Sequence, residues 1–321
     1  MRTEPPSAGF LGLPVETDLG SLAADLAILG VPHGWPYPRP GATAGCADAP
    51  AAVRDRSQRL ARFRGHWDFD LDAPMLPEGG ARIVDAGDVP GSPDDGPGNS
   101  ERIERSVRAI LAAGAVPICL GGDDSTPIPI LRAFDGRGPL TVLQVDAHLD
   151  YRDQVDGVRE GYSSPMRRAS EMDHVERIVH VGLRGVGSAR ASDVEDSRAA
   201  GNLLVTSREL RERGVPWLLD QLPPDASVFV AFDCDGLDPS LVPAVSAPAP
   251  GGLSYVEAID LLRGVGPRLA GAVFTELVPA RDPLGTSALV VGRLVGVTVS
   301  AGTAMSVARV HHSLTPSPRE G

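Results

Sequence analysis

The sequence contains few cysteines, and they lie far apart. Only three occur among 321 residues, at Cys46, Cys119 and Cys234. An odd number with wide spacings indicates neither a disulfide framework nor a zinc knuckle. Cys119 and Cys234 lie in apolar runs, where a free thiol usually behaves as a small hydrophobic side chain.

The sequence also lacks the usual features of membrane, repeat and nucleic-acid-binding proteins. No basic and apolar leader opens the chain, and no uninterrupted apolar stretch is long enough to span a bilayer. No linker-like break and no solenoid repeat are present. Basic residues number 30 against 42 acidic ones, so the net charge is −12. We expect a cytoplasmic protein without nucleic-acid or membrane partners, and its acidity suits a small cationic substrate.

Short apolar runs recur along the chain, and a helical pattern tends to follow each run. The runs expected to form strands are residues 26–30, 81–84, 116–120, 141–145, 177–181, 227–232 and 271–274. Strands that are buried on both faces give such continuous runs. The alternation predicts an α/β fold with three layers, in which helices flank a central, mostly parallel β-sheet.

The rest of the chain gives weaker structural signals. Residues 100–113 are predicted to form a helix with Ser100 as its N-cap. Residues 91–99 are rich in Gly, Pro and Asp and are expected to be loose, as are the two ends, 1–20 and 315–321. We expect one domain over residues 1–321.

Acidic residues follow four of the predicted strands. These residues are Asp123 and Asp124, then Asp146 and Asp150 on either side of His148, then Asp233 and Asp235, and finally Glu276. In open parallel sheets, functional groups gather at the carboxyl ends of the strands. The four clusters are therefore expected at one edge of the sheet.

Carboxylates with one imidazole suit divalent metal ions such as Mn²⁺. Alternate positions in an extended segment lie on one side, which groups Asp146 with His148 and Asp150, and Asp233 with Asp235. So many carboxylates would repel each other unless cations neutralised them. Two ions about 3.5–4 Å apart can share a hydroxide and present it to an electrophilic carbon.

Each of these features also has a simpler explanation. A single Asp-x-Asp after a strand often forms a turn or a helix cap, but two such segments at strand ends favour metal binding. Trp35 and Tyr37 lie among prolines and suggest a rigid loop near the site, although packing is the simpler explanation. We expect structural, turn or exposed roles for Asp123, Asp238, His33, His66, His174, His180, His311 and His312.

Several motifs together resemble one known family. They are residues 30–32 (Gly-Val-Pro), 39–42 (Arg-Pro-Gly-Ala), 53–54 (Val-Arg), 85–89 (Asp-Ala-Gly-Asp-Val), 121–125 (Gly-Gly-Asp-Asp-Ser), 146–150 (Asp-Ala-His-Leu-Asp), 233–239 (Asp-Cys-Asp-Gly-Leu-Asp-Pro) and 250–253 (Pro-Gly-Gly-Leu), followed by Glu276, Pro279 and Asp282. The chain resembles the ureohydrolases, which include arginase, agmatinase and guanidinobutyrase, from about residue 24 to residue 309. The agmatinase-like branch is the closer fit.

The resemblance implies a pair of divalent metal ions, commonly Mn²⁺ and in some members Ni²⁺. The six implied ligands are Asp124, Asp146, His148, Asp150, Asp233 and Asp235. Asp146 and Asp233 would bridge the two ions. Asp124 and Asp150 would complete the coordination of one ion. His148 and Asp235 would complete the coordination of the other. Asp150 would also hold the bridging hydroxide by a hydrogen bond.

The resemblance also implies a reaction and an assembly. Hydroxide attack on a guanidinium carbon would give a tetrahedral intermediate that releases urea and an amine. Glu276 would pair with the guanidinium, a planar cation that suits a carboxylate. Members of this family assemble as trimers or hexamers, so a homo-oligomer is expected here.

Three departures from the family pattern affect the expected site. Asp124 stands where His is usual, and residues 244–247 (Ala-Val-Ser-Ala) stand where Gly and Thr are common. A His-Gly pair thought to help move protons is also missing, and Tyr162 or Ser163 takes the His position. Two functions remain open: an active hydrolase with a shifted substrate, or a silent homologue acting as a structural or regulatory subunit. Retention of the other five ligands and of Glu276 favours the first.

Overall fold

A computed structural model of the chain describes residues 1–38, 45–76 and 79–314, with side chains as far as Thr303. Residues 39–42, which carry the Arg-Pro-Gly-Ala motif, and residues 315–321, which were expected to form a loose tail, lie outside the described residues.

Eight parallel strands form one central sheet. Its strands are β1 (Leu26–Val31), β4 (Ile83–Asp88), β5 (Val116–Gly121), β6 (Leu140–Val145), β7 (Val175–Leu183), β8 (Leu203–Thr206), β9 (Ser227–Asp233) and β10 (Leu269–Thr275). The order across the sheet is β4-β1-β5-β10-β9-β6-β7-β8. A separate antiparallel hairpin joins β2 (Trp67–Asp68) to β3 (Ala73–Pro74).

Helices cover both faces of the sheet. They are α1 (Ala49–Ala61), α2 (Gly96–Ala112), α3 (Pro127–Arg132), α4 (Pro165–Ser170), α5 (Ala191–Ala199), α6 (Ser207–Asp220), α7 (Tyr255–Val265) and α8 (Thr286–Leu314). Apolar side chains of α1, α6, α7 and α8 form one core, and those of α2 to α5 contribute to the other. The predicted three-layer α/β fold is therefore confirmed.

Strand β1 shows why the strands appear as continuous apolar runs. Leu26 and Ile28 belong to one core, whereas Ala27 and Leu29 belong to the other. All four are almost completely buried. Successive side chains point to opposite faces, so a strand between two helical layers needs apolar residues at every position.

Several predicted boundaries were wrong. Helix α2 begins at Gly96, inside the segment expected to be loose, and Ser100 lies within the helix. Its N-cap is Asp95, whose carboxylate accepts a hydrogen bond from the Gly98 backbone N–H (3.0 Å). Strand β8 was missed because it is only four residues long and half-exposed.

The N-terminal segment was also predicted wrongly, because residues 1–20 are not a loose tail. Phe10 and Leu11 have no exposed surface. The Phe10 backbone N–H donates to Asp85 (2.7 Å), and the Glu4 backbone exchanges two hydrogen bonds with Asp88, each of 2.8 Å. Buried apolar anchors and backbone pairing with β4 hold this segment against the sheet.

A buried ion pair lies between α1 and the end of β4. The Arg54 side chain is 2% exposed and Asp85 is fully buried. Arg54 Nε and Nη2 donate to the two carboxylate oxygens of Asp85 at 2.8 and 2.9 Å, and Nη1 donates to Asp88 (2.5 Å). This explains the Val-Arg and Asp-Ala-Gly-Asp motifs as a structural contact.

We expect Arg54→Met to lower the free energy of unfolding by about 3–5 kcal/mol, because it leaves the Asp85 carboxylate buried without its counter-charge. Urea denaturation followed by circular dichroism measures the effect. Arg59→Met, at an exposed position of the same helix, is the matched control. A loss for Arg54→Met no larger than that of the control would contradict this role.

Helix α8 bears on the expectation about apolar stretches, although Arg293 interrupts its apolar run. In the described part of the chain it is the one helix long and apolar enough to cross a membrane, over Thr286–Thr303, with a mean hydropathy of 1.3. However, 67% of that window is buried inside the protein. Core helices of soluble proteins have the same composition, and its contacts with α1 and α7 assign it to the core.

Candidate metal centre

The acidic clusters converge because the strands that carry them are neighbours. Strands β5, β10, β9 and β6 lie side by side in the middle of the sheet. Thr275 pairs with Asp233, and Val145 pairs with Phe232, so these strands end at about the same level. The side chains that follow them meet at one edge, as the sequence predicted.

Five of the six predicted ligands fall into two compact groups. Asp124, Asp146 and Asp233 form one group, and Asp146, His148 and Asp235 form the other. Within each group, one potential ligand atom per residue lies within 4.8 Å of the others. Asp146 belongs to both groups, which is the arrangement that a bridging carboxylate requires.

Asp150 lies in neither group, although it lines the same cavity and its carboxyl group is close enough to Asp146 that burial, and then the charge of Asp146, raises its pKa. Its backbone has φ = 44°, and that of Glu276 has φ = 64°. Residues other than glycine seldom adopt such angles, which cost on the order of 1–3 kcal/mol and often occur at functional sites. The fold thus holds two predicted catalytic residues in strained conformations.

Backbone amides orient the carboxylates. Asp146 Oδ1 accepts from the His148 N–H (2.6 Å), and Asp233 Oδ1 accepts from the Asp235 N–H (2.7 Å). Asp235 Oδ1 in turn accepts from the Ala147 N–H (3.1 Å). Each bond fixes one carboxylate oxygen, and His148 Nδ1 lies 3.0 Å from the second oxygen of Asp235, Oδ2.

Asp124 is held differently. Thr275 Oγ1 donates to Asp124 Oδ1 (2.7 Å). Asp124 Oδ2 is buried and has no hydrogen-bond partner among the described residues. A buried carboxylate oxygen without a partner is costly, and a metal ion would satisfy it. This atom is direct structural support for a cation in the first group.

The pKa values show how much charge is concentrated here. Burial, followed by repulsion from neighbouring carboxylates, raises the pKa of Asp124, Asp150 and Asp233 well above the usual range. The same causes raise the pKa of Asp146 to about 6. Hydrogen bonds to Asp146 and Asp235 raise the pKa of His148 to about 11.

Carboxylates packed this closely need either protons or cations to balance them. Divalent ions suit the donor set, which consists of carboxylate oxygens and one imidazole nitrogen. Together with the unpaired oxygen of Asp124, this chemistry fits two divalent ions.

A cavity of about 270 Å³ opens onto the cluster. It is lined by Asp124, His148, Asp150, Tyr162, Ser163, Val186, Gly187, Ser188, Asp233, Asp235, Ser246, Ala247 and Glu276. Glu276 Oε1 accepts from the Asp124 backbone N–H (2.8 Å), and Oε2 lies 3.8 Å from Cys46 Sγ. Burial, and then the charge of Asp123, raises the pKa of Glu276 to about 7.

Tyr37 supports the loop that carries Tyr162 and Ser163. The two tyrosine rings lie 4.4 Å apart, and Tyr37 Oη accepts from the Ser163 backbone N–H (3.1 Å). A Cβ at Gly161 would lie 1.9 Å from the Tyr37 ring, so this position requires glycine. Tyr162 and Ser163 both line the cavity, and both remain candidates for the usual His position.

Asp123 and Asp238 make local hydrogen bonds, as expected of structural residues. Asp123 accepts from the Ser125 backbone N–H (2.9 Å). Asp238 accepts from the backbone N–H groups of Ser240 and Gly251, at 3.0 and 2.8 Å, which forms a turn. His33 is half-buried, and burial lowers its pKa.

Sequence reasoning missed several buried residues that support the cluster. These are Cys46 beside Glu276, Thr275 beside Asp124, and Gln144, whose Nε2 donates to Asp146 Oδ2 (2.6 Å). Gln144 carried a usable signal, because it is a large polar residue in a mostly apolar strand, two positions before Asp146. Nothing in the sequence around Cys46 and Thr275 indicated that they support the cluster.

Comparison with known proteins gives consistent matches. The family model described as the arginase family matches residues 24–299. The mitochondrial agmatinase of Gallus gallus is 31% identical over 303 residues, which cover 89% of this chain and 85% of that protein. The guanidinopropionase of Pseudomonas aeruginosa is 32% identical over 289 residues, which cover 88% and 87% of the two chains.

A solved structure matches over nearly the whole chain. The formiminoglutamase of Trypanosoma cruzi, solved with Mn²⁺, superposes with a TM-score of 0.76 at 29% identity. The match covers 94% of this chain and 99% of the other.

Proposed function

This chain belongs to the arginase family and is a hydrolase of the ureohydrolase type, and we propose that it cleaves a guanidino compound into urea and an amine at a site with two divalent metal ions. The observation that carries the proposal is the position of Asp146, which belongs to both ligand groups. The other four members of those groups line the same cavity as Glu276. Agmatinase and guanidinopropionase activities in the names of relatives support this substrate class.

The proposed ligands are Asp124, Asp146, His148, Asp150, Asp233 and Asp235. We propose Mn²⁺ as the metal, with Ni²⁺ as the alternative, because most of the donors are carboxylate oxygens, which suit hard ions. The formiminoglutamase solved with Mn²⁺ supports this choice. When bound, the ions would supply a water of lowered pKa and positive charge to stabilise the transition state.

The protein's own residues would bind the substrate and handle its protons. The Glu276 carboxylate would pair with the guanidinium and turn its carbon toward the cluster. Asp150 would accept a hydrogen bond from the attacking water. The Tyr162 hydroxyl would help deliver a proton to the nitrogen of the leaving amine. Addition of water and cleavage of one C–N bond give urea and the protonated amine.

The cavity suits a cationic guanidinium head. No Lys or Arg lines it among the described residues, whereas five carboxylates do. We propose a substrate tail that ends in an amine or a carboxylate. We also propose that the chain is a single domain working in the cytoplasm as a homo-oligomer, a trimer or a hexamer, which light scattering can test.

Metal content and urea release test the proposal together. Metal-free protein, reloaded with Mn²⁺ or with Ni²⁺, should bind two ions per chain by inductively coupled plasma mass spectrometry. It should release urea from at least one compound in a panel of guanidino amines and guanidino acids, and a chelator should abolish the activity. Two bound ions with no urea from any compound would favour the silent homologue. No bound metal would refute the metal centre.

We expect Glu276→Gln to lower kcat/KM by about 10²–10³-fold, because it removes the buried negative charge that would pair with the guanidinium. Urea release under steady-state conditions measures the effect. Metal content should stay at the parent level, since Glu276 is outside the ligand set. Glu212→Gln, at an exposed position of α6, is the matched control. A parent-like kcat/KM would exclude the guanidinium role.

A further inference from the structure

Two buried polar side chains lie side by side behind the metal cluster. Gln144 on β6 is the register partner of His180 on β7. Gln144 is 1% exposed and His180 is fully buried. Polar groups in an apolar core are costly unless they are hydrogen-bonded, so their partners matter.

The two residues belong to a continuous chain of hydrogen bonds that ends on Asp146. Gln144 Nε2 donates to Asp146 Oδ2 (2.6 Å), and Gln144 Oε1 contacts His180 Nδ1. On the other side of the ring, His180 Nε2 lies 3.4 Å from Ser197 Oγ. Asn202 Nδ2 donates to Ser197 Oγ (3.2 Å).

A backbone amide sets the direction of this chain. The Ile178 N–H donates to Asn202 Oδ1 (3.1 Å), and a backbone N–H can only donate. The amide nitrogen of Asn202 must therefore face Ser197, whose hydroxyl proton is left for His180 Nε2. Burial lowers the pKa of His180 to about 3, so the ring is neutral and carries one N–H, on Nδ1.

The consequence appears at the metal cluster. Because His180 Nδ1–H occupies Gln144 Oε1, the Gln144 amide nitrogen faces Asp146. Asp146 then has one donor on each oxygen, the His148 N–H on Oδ1 and Gln144 on Oδ2. A reversed chain would turn the Gln144 oxygen toward the carboxylate and repel it.

We propose that Gln144, His180, Ser197 and Asn202 are positioning residues that fix the Asp146 carboxylate in the orientation shared by both ligand groups. The proposal rests on the proposed metal function, since it assigns these residues to the control of metal affinity. Partners that orient metal ligands in this way typically contribute about 10–100-fold to metal affinity.

The first experiment removes the link next to Asp146. Gln144→Met keeps the length of the side chain but has no amide to donate. We expect the affinity of the metal-free protein for Mn²⁺, measured by titration calorimetry, to fall by about 10–100-fold. Gln221→Met is the matched control, because Gln221 is a half-buried glutamine whose amide bonds only to the Trp217 carbonyl among the described contacts.

The second experiment reverses the direction of the hydrogen bonds, starting at Asn202. In Asn202→Asp, the oxygen that replaces Nδ2 can only accept from Ser197, so His180 should switch to Nε2–H and Gln144 should flip. In Asn202→Ala, Ser197 stays free to donate to His180. We therefore expect the near-isosteric Asn202→Asp to weaken Mn²⁺ binding more than Asn202→Ala, the opposite of what a packing role predicts.

The histidine tautomer provides a readout without metal. In ¹⁵N-labelled metal-free protein, nitrogen chemical shifts should show His180 with its proton on Nδ1 in the parent and on Nε2 in Asn202→Asp. A proton on Nε2 in the parent, or unchanged Mn²⁺ affinity in Gln144→Met, would overturn the proposal. If the parent bound no divalent metal, the proposed function would fail. The His180 tautomer would still show the direction of the hydrogen bonds between Asn202 and Asp146.

Discussion

Asp146→Ala is expected to lose both metal ions and to reduce kcat by at least about 10³-fold. Asp146 is the one residue shared by the two ligand groups. Its removal takes a carboxylate from each ion and leaves the donors of Gln144 and His148 without their acceptor. Mass spectrometry of metal content and urea release measure the two losses.

Two comparisons make this result specific. Asp235→Ala removes a residue that belongs to one group, so it should lose one ion and keep the other. Asp238→Asn changes a turn aspartate outside both groups and should keep both ions. If Asp146→Ala bound as much metal as Asp238→Asn, the shared-carboxylate assignment would be wrong.

Asp124→Ala is expected to empty one metal position and to leave little of the rate, with most of the stability retained. The reason is the buried Asp124 Oδ2, which has no hydrogen-bond partner among the described residues. Asp123→Asn is a suitable control, because Asp123 bonds to Ser125 and lies in neither ligand group. Equal metal content in the parent and in Asp124→Ala would rule out a ligand role.

Asp124→His should retain the fold and move the pH optimum of activity downward, by about one pH unit. With His at this position, four carboxylate ligands balance two divalent ions. Asp124 adds a fifth negative charge, which makes the attacking water harder to deprotonate and favours an alkaline optimum. The extra charge should also strengthen attraction for a guanidinium. A pH profile of kcat for the parent and the variant measures the shift, and an unchanged or higher optimum would contradict the charge argument.

The layers of the fold could be predicted from the sequence because a strand that is buried on both faces is apolar at nearly every position. Strands such as β1 and β5 are continuous apolar runs and were located to within a residue. Strand β8 was not predicted, because a short, half-exposed strand does not form a continuous apolar run. The packing of residues 1–20 escaped because it depends on partners more than sixty residues away, including Asp85 and Asp88.

The residues of the candidate site also differ in whether the sequence reveals them. Asp146, His148 and Asp150 lie close together in the sequence, so local spacing was enough to group them. Gln144 and His180 are 36 positions apart and meet only through the register of β6 and β7. Residues that support a site from a neighbouring strand cannot be recognised until the strand order is known.

The N-terminal segment has a consequence for the behaviour of the protein in solution. Strand β4 lies at one end of the sheet order, where an open strand would offer unpaired backbone groups to another molecule. Glu4 bonds to Asp88 there, and Pro14 and Glu16 bond to Asp85, so the segment occupies this edge like an additional strand. A chain shortened by its first twenty residues would expose the unpaired edge of β4 and would be prone to aggregate by strand addition, even with its metal ligands intact.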